Sequence, residues 1–236
     1  MNYIYTLKDY RCDKHCPYCI TKILDNTSEE DVHLLEYYLQ DLKGDYDSFI
    51  LSGNGEPSLY AYATLKYIKT LAERSGKFSS FRIQTSGAIF HQKAKLSLFS
   101  DWVKEVTVVS CRQNEDKEFF KYPKDYFHKL PVENLRVNYT LLLSKFNSKQ
   151  YLEDIECLLD KYSHIALKLL DTDDPWILEN AVPYSFKEYL LQELNVLLGD
   201  QIYSKLSGRY VWTLTGKKVT MSYGKESGHD FIQIRE

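Results

Sequence analysis

A chain of 236 residues, 44% of them hydrophobic, has the size of one large domain or two small ones and enough apolar content to bury a core without staples. Its net charge of −3, with no basic stripe, gives no reason to expect nucleic acid as a partner, and no apolar run approaches the length of a membrane span. Five cysteines are sparse and odd in number, which argues against a disulfide framework; with no leader-like start they point to a reducing compartment, the cytoplasm.

Residues 3–7 read as a short strand, and a cysteine loop follows. Residues 29–43 carry Val32, Leu35, Tyr38, Leu39 and Leu42 at helical spacing behind the capping run Thr27-Ser28-Glu29-Glu30. Then come a strand over 48–51, a helix over 60–74 stopping near Gly76, a strand over 81–85 and a helix over 91–99. A fourth strand covers 106–110, a helical segment begins over 115–120, and a fifth strand covers 135–143. A helix over 149–161, a sixth strand over 165–170 and a helix over 185–198 complete the alternation.

Strands alternating with helices predict βα units with a parallel sheet. Six units fall short of the eight of a closed barrel, so the expected fold is α/β, a partial (β/α)6 barrel over residues 1–200. Residues 209–214 and 218–222 flank the turn Thr215-Gly216-Lys217, and 231–234 read as a third short strand. Residues 201–236 are therefore expected as a small C-terminal β appendage of the same domain, closing the open edge or mouth of the barrel.

The run Cys12-Asp13-Lys14-His15-Cys16-Pro17-Tyr18-Cys19 has the spacing C-x3-C-x2-C. Three thiolates on one loop suit three irons of a cubic [4Fe–4S] cluster and leave the fourth iron open to a small molecule. The competing reading is zinc, with His15 or His33 as fourth ligand, although structural zinc sites usually use two separated ligand pairs and no second pair is present. Cys111 and Cys157 stand alone.

Ser52-Gly53-Asn54-Gly55-Glu56-Pro57 follows the second strand at once. Its glycines permit positive φ and close approach to a ligand, and Glu56 adds a charge. In parallel sheets chemistry collects at the C-terminal ends of strands, where both this turn and the cysteine loop fall. With both in hand, the chain resembles the radical S-adenosylmethionine enzymes. Cys12, Cys16 and Cys19 match that superfamily's C-x3-C-x-aromatic-C motif with Tyr18 at the aromatic position. Ser52–Pro57 matches its Gly-Gly-Glu-Pro motif with Asn54 between the glycines.

The resemblance covers roughly residues 1–170 and implies two cofactors, a [4Fe–4S] cluster and S-adenosyl-L-methionine. It further implies that the methionyl amine and carboxylate chelate the open iron, that one electron cleaves the sulfonium–C5′ bond, and that the resulting 5′-deoxyadenosyl radical takes a hydrogen atom from the substrate. By position it implies that Gly53, Asn54, Gly55 and Glu56 meet the cofactor's amino group and that Tyr18 lies near the cofactor. Gln84 and Ser86 after the third strand, and Ser110 and Arg112 after the fourth, correspond to places where family members hold ribose hydroxyls and the carboxylate. A flavodoxin or ferredoxin is the implied electron donor.

On the substrate side the sixth strand runs into Asp171-Thr172-Asp173-Asp174-Pro175-Trp176. Asp171, Asp173 and Asp174 suit a cationic amine or the N–H edge of a guanine-like base; the competing reading is a solvated turn with Asp as a helix cap. Asn138, Arg209, Tyr210 and Trp212 are further pocket candidates, and His91 and His128 candidate proton donors. The near-minimal core favours a small-molecule substrate. Among small-core groups of the superfamily, the lyases that cleave queuine, a 7-deazaguanine base, in salvage fit best. A 7-carboxy-7-deazaguanine synthase-like enzyme, a glycyl-radical-enzyme activase and a non-catalytic iron–sulfur protein are the alternatives.

Overall fold

Alternation along the first strand decides which way the sheet faces. In β1 (Asn2–Leu7) Tyr3, Tyr5 and Leu7 are buried while Asn2, Ile4 and Thr6 are half-buried. A strand's period of two sends these sets to opposite faces. In β3 (Phe81–Thr85) Phe81, Ile83 and Thr85 are buried, and Arg82 and Gln84 point the other way. The computed structural model describes residues 2–7, 11–12, 16–19, 32, 34–100, 103–110, 134–160, 162–170, 174–204, 209–214, 216–223 and 231–233.

Seven strands form a parallel run: β1, β2 (Ser48–Gly53), β3, β4 (Val103–Ser110), β5 (Asn134–Leu141), β6 (His164–Leu169) and β9 (Lys217–Tyr223). β8 (Arg209–Leu214) and β7 (Ile202–Ser204) extend it in antiparallel fashion beyond β9, and β10 (Phe231–Gln233) pairs in parallel with β1. The sheet has ten strands in the order β10-β1-β2-β3-β4-β5-β6-β9-β8-β7, with open edges at β10 and β7. The strands after residue 200 thus belong to the same sheet, and β8 and β9 form a hairpin that adds at the edge of the earlier strands. β9 lies beside β6 as a further parallel strand, and β10 sits at the opposite edge.

The described helices are α1 (Leu34–Asp41), α2 (Tyr62–Ser75), α3 (Lys93–Ser100), α4 (Leu143–Asn147), α5 (Gln150–Leu159), α6 (Pro175–Asn180) and α7 (Lys187–Leu198). In α2 Leu65, Ile68, Leu71 and Ala72 make the buried stripe, and Gly76 at φ 65° ends it by donating its N–H to Glu73 O. One hydrophobic cluster joins these helical stripes to one face of the sheet, with Tyr3, Phe49, Phe81, Tyr139, Leu167 and Trp212 among its members. Tyr3, Phe49 and Phe81 stack across three strands at ring separations of 5.6 and 5.5 Å. Ile50 and Ala166 are buried outside this cluster, on the other face, whose half-buried residues include Thr6, Ser52, Gln84, Arg136, Asn138, His164 and Lys168. No helix among the described residues is long and apolar enough to cross a membrane.

Three local expectations change. The fifth strand stops at Leu141, because Leu143–Asn147 turns into α4. That turn is fixed by the buried Asp154 on α5, whose carboxylate accepts from Tyr139 Oη at 2.6 Å and Lys145 Nζ at 3.1 Å. The acidic stretch after β6 opens α6, with the Asp174 carboxylate accepting the Ile177 N–H at 3.1 Å as a helix cap. Ile202–Ser204 is an additional short strand. The helical segment expected over 115–120 lies outside the described residues.

Candidate functional site

The C-terminal ends of β1, β2 and β3 are tied together through the turn after β2, by its backbone to β1 and by the Glu56 carboxylate to β3. Leu7 pairs with Gly53, and the Asn54 N–H donates to Leu7 O at 2.8 Å. The Glu56 N–H donates to Arg11 O at 2.6 Å, so the turn after β2 holds the chain immediately before Cys12. Arg11 also places its guanidinium over the Tyr60 ring at 5.9 Å. The Glu56 side chain turns inward and is only 1% exposed. It accepts from the Ser58 N–H at 3.0 Å, from Thr85 Oγ1 at 2.7 Å and from the Ser86 N–H. Thr85 Oγ1 in turn accepts the Gly87 N–H at 3.0 Å.

Glu56 therefore works as a strut between strand ends. What the turn leaves half-exposed is Gly53, Asn54 and Gly55. Neither glycine takes a positive φ, contrary to the expectation from sequence. At Gly53 the constraint is space instead: a Cβ there would lie 3.1 Å from Gly55 O and 3.3 Å from Pro57 Cγ, tighter than ordinary contact. Next to the turn, Ser52 Oγ donates to Gln84 Oε1 at 2.9 Å on the polar face. Gln84 and Ser86 thus lie beside the turn.

In the cysteine loop, Cys12, Cys16, Tyr18 and Cys19 are half-buried. The Cys19 N–H donates to Cys16 O at 3.2 Å, closing the Cys-Pro-Tyr-Cys segment into a turn. Cys12 and Cys19 are thiols, whereas Cys16 is disulfide-bonded. Among the described residues no three His, Cys, Asp or Glu side chains gather around one metal-sized point. The donor set of three cysteines on a short loop fits a cubic cluster, and reduction of Cys16 is the precondition for all three to ligate.

Tyr18 carries this loop across to the far strands. Its ring lies 5.9 Å from that of Trp176 at the start of α6, and its hydroxyl shares a hydrogen bond with that of Thr140 on β5. Burial pushes the Tyr18 phenol up, with the Cys19 thiol adding to it. Thr140 is a site neighbour that the sequence did not single out, while Trp176 is the aromatic end of the acidic stretch read after the sixth strand.

The polar face beneath carries Asn138, whose Oδ1 is buried without a hydrogen-bond partner. Of the appendage candidates, Trp212 is fully buried on the helix side and donates its Nε1–H to Asn195 Oδ1 at 3.0 Å. Tyr210 belongs with that side, while the alternation turns Arg209 to the polar face. Asp174 is engaged as the α6 cap. Ser110 ends β4, its backbone paired with Tyr139. Arg112, Asp171, Asp173, Cys111 and His128 lie outside the described residues, as do the side chains of Ser110 and His91.

His164 on this face is held neutral. Burial, then Arg136, Lys218, Arg209 and Lys168, push its imidazole down to about 3, and Nε2 lies 3.0 Å from Thr220 Oγ1. An unfolded histidine binds its proton near pH ~6.5. Between that pH and about 3 the unfolded chain holds the extra proton, so stability falls as pH falls through this window. His164→Gln is expected to flatten that limb of a urea-midpoint profile against pH; an unchanged slope would assign the acid lability elsewhere.

No family model matches the chain, and no curated protein matches its sequence.

Proposed function

We propose that the protein is a radical S-adenosylmethionine enzyme acting on a small molecule. The observation that carries this reading is the bond from the Glu56 N–H to Arg11 O, which makes neighbours of the two motifs on which the resemblance rests. Cys12, Cys16 and Cys19 would hold a [4Fe–4S] cluster, and the half-exposed Gly53, Asn54 and Gly55 would receive the methionyl amine. Bound there, the two cofactors supply one electron and a carbon-centred radical that removes a hydrogen atom from the substrate. The chain's own part is to hold that substrate on the polar face and keep competing donors away.

A partial barrel is part of the proposal. Its support is the one-sided packing of helices and a short connection. Eight peptide steps separate Tyr223 from Phe231 and span at most roughly 29 Å. A flat sheet would set β9 and β10 seven strand spacings apart, roughly 33 Å, before counting the climb from the C-terminal end of β9 to the start of β1. Curling the sheet around its polar face relieves that mismatch.

The specific candidate is a queuine-type 7-deazaguanine cleaved in a lyase reaction. A deazaguanine-forming reaction on a carboxylate-bearing precursor is the second reading, favoured by the cations Arg136, Lys168 and Arg209 near Asn138. The test is anaerobic reconstitution followed by reduction with dithionite. About four irons per chain and release of 5′-deoxyadenosine are expected, rising on addition of the true substrate among queuine and carboxylated deazaguanine precursors. A fully loaded cluster that yields no 5′-deoxyadenosine with any reductant would sink the proposal.

A further inference from the structure

Three strands bring together cations that their separation in sequence hides. Lys168 on β6 pairs in register with Thr140 on β5 and with Ser222 on β9. Tyr210 on β8 pairs with Met221, so Arg209 falls beside Ser222 in the same row. Arg136 lies four residues back on β5, on the same face and opposite His164. The row from Thr140 to Arg209 spans three strand spacings of about 4.8 Å each. Its first member is the residue that bonds Tyr18, next to Cys19.

We propose that Lys168 and Arg209, backed by Arg136 and flanked by Asn138, form a binding site for an anionic group, a carboxylate or phosphate, of the molecule on which the cysteine loop's chemistry acts. That this molecule is a substrate rests on the function proposed above; the anion site itself does not. Three observations carry it. Among the described residues Lys168 has no hydrogen-bond or ion-pair partner, and the charged groups that act on it are Arg136 and Arg209, both of its own sign. Arg209 Nε and Asn138 Oδ1 are both buried and unpartnered. Such groups are rare in native interiors unless a ligand completes them. Burial, then the two arginines, hold the Lys168 ammonium down to about 8, so the charge is kept at a cost that a bound anion would remove. An arginine fork donates to two oxygens of a carboxylate or phosphate at once, and Asn138 Oδ1 can accept an N–H or O–H of the same molecule.

The experiment is calorimetric titration of the full chain with inorganic phosphate and with acetate, sodium chloride serving as the ionic-strength control. Saturable binding of phosphate, acetate or both is expected, and which one saturates identifies the group. Lys168→Met and Arg209→Met should each weaken it about tenfold or more, and the exposed Lys218→Met should not. Lys168→Met should also raise Tm in the absence of added anion, since it removes a buried like charge, so this variant does not depend on a fragile fold. No saturable binding beyond the chloride control, equal weakening by Lys218→Met, or a lowered Tm for Lys168→Met overturns the site. Running the titration before and after cluster reconstitution separates the two proposals. Anion binding without 5′-deoxyadenosine formation leaves this site standing and sinks the radical chemistry; the reverse result sinks only the site.

Discussion

Cys16→Ala is expected to abolish both iron loading and 5′-deoxyadenosine formation. A cubic cluster held at three corners has no reserve: with one thiolate gone, the remaining pair chelates too weakly to retain about four irons through desalting. The substitution is mild for the fold. Cys16 is half-buried, and its structural contribution to the turn is the backbone carbonyl that accepts the Cys19 N–H, which alanine keeps. It also removes the disulfide in which Cys16 takes part, so far-UV circular dichroism and the Tm of the apoprotein are the necessary controls. Cys157→Ala on α5 is the matched comparison, a free thiol outside the loop, and should leave iron content and activity unchanged. Iron retained at wild-type level in Cys16→Ala would move the ligand set to other residues. Loss of iron in both variants would point to general fragility.

The local code of this chain was legible because helices and strands announce themselves by period. Residues 60–74 read as a helix stopping near Gly76; the helix runs over Tyr62–Ser75 with Leu65, Ile68 and Leu71 buried, and Gly76 stops it with a left-handed φ. Partner choice between strands was not legible. Nothing in residues 217–223 says that β9 pairs with β6, or that Phe231 crosses to Asn2 at the other edge, because those pairings are decided by which open edge remains after the earlier units have packed. The same limit governs the site. The cysteine run and the glycine–glutamate turn are contiguous and could be found as motifs. The Lys168–Arg209 row depends on two successive strand registers, so no window of sequence contains it. Asp174 illustrates a chemical ambiguity of a different kind: an Asp before Pro serves equally as a ligand-facing carboxylate or as a cap, and only the Ile177 N–H 3.1 Å away decides what it does here.

Glu56 offers the sharpest separation between scaffold and cofactor contact. The resemblance implies that its carboxylate meets the methionyl ammonium, whereas the geometry spends that carboxylate on Ser58, Thr85 and Ser86. Glu56→Ala would leave those buried donors without an acceptor, at about 1–3 kcal/mol for each before relaxation. Local adjustment makes such costs sub-additive, so a loss of about 3–5 kcal/mol is expected. For a chain of this size each kcal/mol moves Tm by about 2–4 °C, giving a drop of roughly 6–20 °C by calorimetry. Glu56→Gln keeps one carbonyl acceptor but adds two donors facing an N–H-rich pocket, so it should recover only part of that loss. Both variants keep the backbone N–H that holds Arg11, and this distinguishes the roles. A strut predicts that Tm and iron loading fall together in the order wild type, Gln, Ala, while the affinity of whatever protein remains loaded for S-adenosylmethionine changes little. A carboxylate that grips the ammonium predicts the opposite pattern: Gln with near-native Tm and full iron, yet cofactor binding weakened tenfold or more by loss of a charge-assisted pair. The inward carboxylate, 1% exposed and bonded to two strand ends, favours the strut.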